Sequence, residues 1–100
     1  MKNVILSADG DDIVYSVPDK VADNLKSYCI QFESDWLQHS PEAQKYRTKG
    51  IICFNEADFI EYLNRYLFPD EQSKFVKNLG RINCVKDYPE EYKHCPSFNF

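Results

Sequence analysis

KNVILSADGDDIVYSV, positions 2–17, is the stretch that decides the fold, because it has the pattern of a β-hairpin. KNVILS (2–7) and DIVYSV (12–17) are typical of strands, and the Asp-Gly inside ADGDD is a strong signal for the turn between them. Pro18 ends the second strand, since proline cannot donate a ladder hydrogen bond and suits the first turn of a helix. The chain is therefore expected to begin with two antiparallel strands and then to enter a helix.

The next segment predicts a helix from Asp19 to about Gln38. With about 100° of rotation per residue, its large apolar side chains share an arc of roughly 100°, which is the face expected to be buried. These side chains are Val21, Leu25, Tyr28, Cys29, Phe32 and Trp36. Phe32 and Trp36 are accordingly predicted to belong to the core.

Ile30 and Leu37 lie on nearly the opposite side of this helix, two turns apart. Charged neighbours make their stripe narrow, and a narrow stripe suits a covering segment better than a large interface. We expect cover from the same chain first, by residues 41–50 or by the aromatic tail. A homodimer contact is the second interpretation and a foreign partner the third.

The middle of the chain predicts three shorter elements. Ser40 and Pro41 are typical of the N-cap and first position of a short helix through Tyr46. The apolar run IICF (51–54) favours a buried strand at that length. Asn55 is expected to cap a further helix, with Asp58 in a capping-box position. The buried face of that helix is predicted to comprise Phe59, Ile60, Leu63, Tyr66 and Leu67, with Tyr62 at its border.

The last third of the chain is less regular. Residues 70–79 predict a helix that ends at Gly80 and has Phe75, Val76 and Leu79 on its apolar side. INCV (82–85) predicts a final strand. Residues 86–100 contain two prolines and no period, so they predict a loop or tail, which we expect to pack on the body.

This order of elements predicts one small α+β domain over residues 1–100. The N-terminal hairpin and one or two short strands would form a small, mainly antiparallel sheet packed by three to four helices. One hundred residues suit a single domain with one core.

Composition excludes several classes of protein. The net charge of −4 gives no basic footprint for nucleic acid, whose phosphates repel an acidic chain. The apolar run of residues 4–6 is shorter than the about 7–15 residues of a signal peptide, and no window suits a membrane span. We therefore expect a cytoplasmic protein, without a membrane partner, whose four cysteines are reduced. An extracellular chain with the same cysteines would instead be able to hold disulfides.

The sequence offers no catalytic or metal site that its spacing supports. Cys84, His94 and Cys95 form the only Cys/His cluster, and they lack the closely spaced ligand pairs of structural zinc sites. ADGDD lacks the ligand pattern of a calcium loop. Neither His39 nor His94 is placed beside a thiol that it would activate. No cofactor and no metal are expected, and an enzyme is the least favoured class of function.

Binding to another protein is the function that the composition favours. Exposed tyrosines combine an apolar ring with a polar tip, which suits an interface. The candidate partner-binding residues are Ile30, Leu37, Tyr46, Tyr62, Tyr88 and Tyr92. An acidic chain with such residues predicts a non-enzymatic binding module that neutralises a more basic protein, as inhibitors and immunity-type proteins do. A structural or homo-oligomeric module is the alternative.

Overall fold

A computed structural model describes residues 1–8, 10–82 and 85–100, and for Val85 it describes the backbone alone. The described strands are β1 (Lys2–Ser7), β2 (Ile13–Val17), β3 (Arg47–Thr48), β4 (Ile51–Ile52), β5 (Lys74–Asn78) and β6 (Ser97–Asn99). Four of them form a mixed sheet in the order β5-β2-β1-β6, and β3 pairs with β4 separately. The predicted α+β class is confirmed, and two of the three pairings in the main sheet are antiparallel.

The N-terminal hairpin is the centre of the main sheet, as its sequence predicts. β1 and β2 pair antiparallel from Lys2↔Val17 to Leu6↔Ile13. Because side chains alternate across a strand, the hairpin has two apolar faces. One face contributes to the main core with Val4, Leu6, Tyr15 and Val17, and the other packs Ile5 and Val14 against Tyr92.

The helices all lie between the second and the fifth strand. They are α1 (Asp19–Asp23), α2 (Leu25–Gln31), α3 (Leu37–His39) and α4 (Glu56–Tyr62). A π-helical turn, Phe32–Trp36, joins α2 to α3, and a second one, Leu63–Leu67, extends α4. Short 3₁₀ turns cover Pro41–Tyr46, Val85–Asp87 and Glu90–Tyr92.

Two predicted caps have different outcomes. The side chain of Asn55 accepts a hydrogen bond from the Asp58 N–H, and the Asp58 carboxylate accepts one from the Asn55 N–H, so the capping box is confirmed. Ser40 makes no such cap, because its hydroxyl donates to the Glu42 carboxylate instead. The segment that follows Ser40 is a 3₁₀ helix rather than an α-helix.

The helix predicted over residues 70–79 is wrong, since this segment contains β5. The segment KFVKN is short and contains one aromatic and one β-branched residue, so it fits a strand as well as a helix. β2 offers them a row of backbone donors and acceptors, and β5 pairs antiparallel with it. A helix of this length has little stability of its own, so the hydrogen bonds that β2 offers decide the conformation in favour of a strand.

Two further predictions need correction. IICF gives only the two-residue strand β4, which pairs with β3 outside the main sheet and leaves Ile51 exposed. The tail contains a strand that was not predicted, β6, which pairs parallel with β1. Phe98 and Phe100 of this tail pack against the main core. The strand predicted over residues 82–85 falls on positions 83 and 84, which lie outside the described residues.

Candidate functional site

Ile30 and Leu37 lie on different sides of the first helix, although a regular α-helix would place them on one line. The π turn Phe32–Trp36 lies between them. A π turn spans one more residue per hydrogen bond than an α turn, so it rotates all later residues by roughly 100°. Leu37 is therefore fully buried in the main core, whereas Ile30 is 43% exposed. The expectation that the chain covers both residues is wrong for Ile30.

Leu37 is held from outside by the segment that follows it. The Arg47 guanidinium donates to the carbonyl oxygens of Leu37, at 2.7 Å, and of Ser40, at 2.9 Å. Both carbonyls belong to the last turn of the helix, where a cation also complements the helix dipole. Ala43 of the same segment is fully buried in the main core. Leu37 consequently offers no surface to a partner.

The four candidate tyrosines separate into two places. Tyr46, at the end of the 3₁₀ segment, and Tyr62, at the end of α4, pack with the main core, and Tyr62 is almost fully buried rather than at a border. Tyr92 is also buried, and Tyr88 is half-buried beside it in the smaller core on the opposite face of the sheet. Tyr46 and Tyr62 are therefore brought together beside Trp36, whereas Tyr88 and Tyr92 meet in the smaller core.

Trp36 is the centre of a cluster of aromatic rings, which we call the Trp36 cluster. Its centroid lies 4.9 Å from that of Tyr62, 5.3 Å from Tyr66 and 6.1 Å from Tyr46. It also stacks on the fully buried Phe32 at 5.7 Å. Tyr66 was predicted to be buried, but it follows α4 within the second π turn and is 41% exposed. The cluster thus runs from the core to the surface.

A cleft of about 250 Å³ opens beside this cluster, and we call it the aromatic cleft. Its lining residues are Gln31, Asp35, Trp36, His39, Ser40 and Tyr62. Gln31, Asp35 and His39 all line the cleft from the first helical segment, and together they form its polar wall. Trp36 and Tyr62 form the aromatic side. The cleft therefore combines flat apolar rings with an amide, a carboxylate and an imidazole.

The charge in the aromatic cleft is negative. Asp35 makes no ion pair with any described residue. Asp35 lines the cleft together with Tyr62, and burial, followed by the negative charge of Asp35, raises the pKa of the Tyr62 hydroxyl. Three cations of neighbouring segments have partners of their own: Lys45 and Arg65 both pair with Glu61, and the Arg47 guanidinium donates to the carbonyl oxygens of Leu37 and Ser40.

Sequence reasoning missed Trp36, Tyr66 and the polar wall as parts of a site. Trp36 was assigned to the core, where it is only partly buried. The spacing of Gln31, Asp35 and His39 beside an aromatic stripe was a usable signal, because residues four apart share one face of a helix. The π turns that expose the rings have no comparable signal in the residue pattern.

The thiols and the remaining polar groups show no second chemical centre in the described chain. Cys29, Cys53 and Cys95 are free thiols. Cys53 was predicted to be buried but is exposed, and burial raises the pKa values of the Cys29 and Cys95 thiols. No three His, Cys, Asp or Glu side chains among the described residues are grouped to hold a metal ion. Within the same residues, no helix has the length and apolar character needed to cross a membrane.

Comparison of the chain with protein-family models, with curated proteins and with solved structures gives no match.

Proposed function

We propose that this protein is a non-enzymatic binding module that holds a basic partner protein, with a Lys or Arg side chain of the partner seated in the aromatic cleft. One observation carries the proposal: Trp36 and Tyr62 share a cleft with Asp35, a carboxylate without an ion pair among the described residues. Aromatic faces attract cations, and a carboxylate adds charge and hydrogen-bond acceptors for them.

The size of the cleft supports a side chain as the ligand better than a large cofactor. About 250 Å³ lies below the roughly 300–1,000 Å³ typical of pockets for small molecules and cofactors. A cation over an aromatic ring contributes about 0.5–1 kcal/mol at an exposed site and about 2 kcal/mol when desolvated. The energy of a single such contact is too small to hold two proteins together, so further surface around the cleft has to contribute to binding.

The surroundings of the cleft supply that surface. Tyr66 is exposed at the edge of the Trp36 cluster, and Tyr46 is half-buried on its other side. Tyrosine, tryptophan and arginine are the residues most enriched at the centres of interfaces. The net charge of −4 favours encounter with a basic protein and disfavours encounter between two copies of this chain. This is why a basic partner ranks above the homo-oligomeric alternative.

The test uses small cations as probes, because it does not depend on knowing the partner. N-acetyl-arginine amide and N-acetyl-lysine amide are titrated into the protein, and the signals of the Trp36 indole and the His39 ring are followed by NMR. We expect saturable shifts at both residues, and weaker binding for Asp35→Asn. Asp70→Asn is the matched control, since Asp70 is an exposed carboxylate that does not line the cleft. Shifts spread over the whole surface, or equal binding of N-acetyl-glutamate amide, would contradict the proposal.

A further inference from the structure

β5 is an edge strand whose second side pairs with no strand among residues 1–8, 10–82 and 85–100. All five of its side chains are exposed, and two of them are large and apolar: Phe75 is 61% exposed and Val76 is 41% exposed. An edge strand with exposed apolar residues is a template for pairing with another extended segment. The aromatic cleft does not involve this strand, so the feature stands apart from the proposed function.

A β-bulge gives the two lysines of β5 a common face. Lys74 pairs with Ser16 and Lys77 with Val14, while Phe75 pairs with Tyr15 and Val76 is the extra residue. Ser16 and Val14 are two residues apart on β2 and so lie on the same face of the sheet. Lys74 and Lys77 therefore share that face, although an odd separation would place them on opposite faces of a regular strand. Phe75 lies on the other face, where its ring meets that of Tyr15 edge-on at 6.1 Å.

The start of β5 is already held on its open side by a side chain. The Asn64 amide donates to the Ser73 carbonyl oxygen at 3.0 Å, and its oxygen accepts from the Ser73 N–H at 2.6 Å. The Asn64 side chain thus makes the same two hydrogen bonds to the Ser73 backbone that a residue of a neighbouring strand would make. It also lines a groove of about 470 Å³ with Ile60 and Gln72, beside the point where the strand begins. The side chain fixes the strand and leaves the edge after Ser73 open.

The charge of the edge selects its occupant. Neither Lys74 nor Lys77 forms an ion pair with a described carboxylate, although Asp70 and Glu71 line a cleft together with Lys74. A second copy of β5 would bring four lysines together, and like charges on paired strands are destabilising. Acidic residues at alternate positions would instead face both lysines, and apolar residues between them would lie on the side of Phe75.

From this arrangement we infer that the open edge of β5 binds an extended polypeptide segment in which acidic and apolar residues alternate. The segment adds a strand to the sheet beside β5. Its backbone pairs with the free edge, its acidic side chains lie over Lys74 and Lys77, and its apolar side chains cover Phe75. The bulge at Val76 sets the spacing at which the acidic residues have to occur.

The test is a titration with a short peptide of alternating Glu and Val, followed by NMR and by amide hydrogen exchange. We expect saturable shifts and new exchange protection at the amides of β5. The double variant K74E/K77E should weaken binding on the order of tenfold and should bind the corresponding Lys/Val peptide in exchange. K20E/K26E is the matched control, because it changes the net charge equally at two exposed helix lysines and should leave the affinity unchanged.

A second peptide separates strand pairing from simple charge attraction. The same Glu/Val sequence with N-methylated backbone nitrogens keeps its charge but loses its donors, so it should not bind. Equal binding of the N-methylated peptide, or protection at the edge strand β6 instead of β5, would overturn the inference. Concentration-dependent dimers of the wild-type protein that protect the amides of β5 would overturn the choice of occupant. Trp36→Leu should leave peptide binding unchanged, so failure here and failure of the proposed function are separate results.

Discussion

The ring centroids of Trp36 and Tyr62 lie 4.9 Å apart, and the two residues come from different helical segments that each contain a π turn. Trp36 ends the first π turn, and Tyr62 directly precedes the second. Irregular turns of this kind recur at functional sites, because they direct side chains away from the regular helical face. Here both π turns contribute a residue to the Trp36 cluster. The packing of the two helical segments and the shape of the aromatic cleft therefore both depend on the contact between Trp36 and Tyr62.

Phe32 is expected to contribute more to stability than Trp36. Its fully buried ring contacts five other rings: those of Trp36, Phe54, Phe59, Tyr62 and Phe100. Phe32→Ala should lower the free energy of unfolding by about 3–5 kcal/mol. Trp36→Ala should cost less, since part of its ring is exposed. Urea denaturation of both variants measures the difference, and equal losses would show that Trp36 is a core residue.

Leu37 and Ile30 should respond in opposite ways to truncation. Leu37→Ala leaves a cavity in the main core and is expected to cost about 2–5 kcal/mol. Ile30→Ala removes an exposed side chain and should change stability by no more than about 0.5 kcal/mol. The pair is its own control, because both are aliphatic truncations on one helix. A large loss for Ile30→Ala would show that the π turn does not form in solution.

The parts of the fold that sequence patterns predict are those fixed by neighbours in the chain. The hairpin depends on a turn between adjacent strands, and the Asn55 cap depends on Asp58 three residues later. β5 is different, because KFVKN fits a helix and a strand alike and its partner β2 lies far away in sequence. β6 likewise forms only because β1 offers it a free edge.

The candidate site was predictable only up to the first π turn. The aromatic stripe as far as Phe32 follows from a constant rotation per residue. That constant fails after Phe32, so the exposure of Ile30, the burial of Leu37 and the position of Tyr66 could not be obtained from it. The pair of Arg65 with Glu61 follows from their separation of four residues, whereas the pair of Lys45 with Glu61 depends on tertiary packing.

Asn64 should hold the start of β5 in place. Asn64→Ala removes both bonds to Ser73, each worth about 0.5–1.5 kcal/mol net, and leaves two backbone groups without a partner. We expect a loss of about 1–3 kcal/mol in urea denaturation and faster amide exchange in β5. The amides of β1, in the centre of the sheet, serve as the internal control. Unchanged exchange in β5 would show that its pairing with β2 suffices to order it.

Tyr15 should make the protein lose stability in alkaline solution. Burial, and then the charge of Glu56, raise the pKa of its hydroxyl from 10.0 to about 12. Because the folded state holds this proton more tightly, the stabilising contribution is complete below about pH 10, the pKa expected in the unfolded chain. It is lost progressively as the pH rises towards about 12, at a slope of about 1.4 kcal/mol per pH unit for one proton.

Tyr15→Phe removes this titration while keeping the ring beside Phe75. Burial also raises the pKa values of Tyr46, Tyr62 and Tyr88, so wild-type protein and variant should both weaken in alkali. The informative quantity is the difference between their free energies of unfolding, measured by urea denaturation across the range from below pH 10 to about pH 12. We expect that difference to shift steadily in favour of Tyr15→Phe as the pH rises. A difference that stays constant would mean that the Tyr15 hydroxyl titrates alike in the folded and unfolded chains, and that its side chain is not buried beside Phe75 in solution.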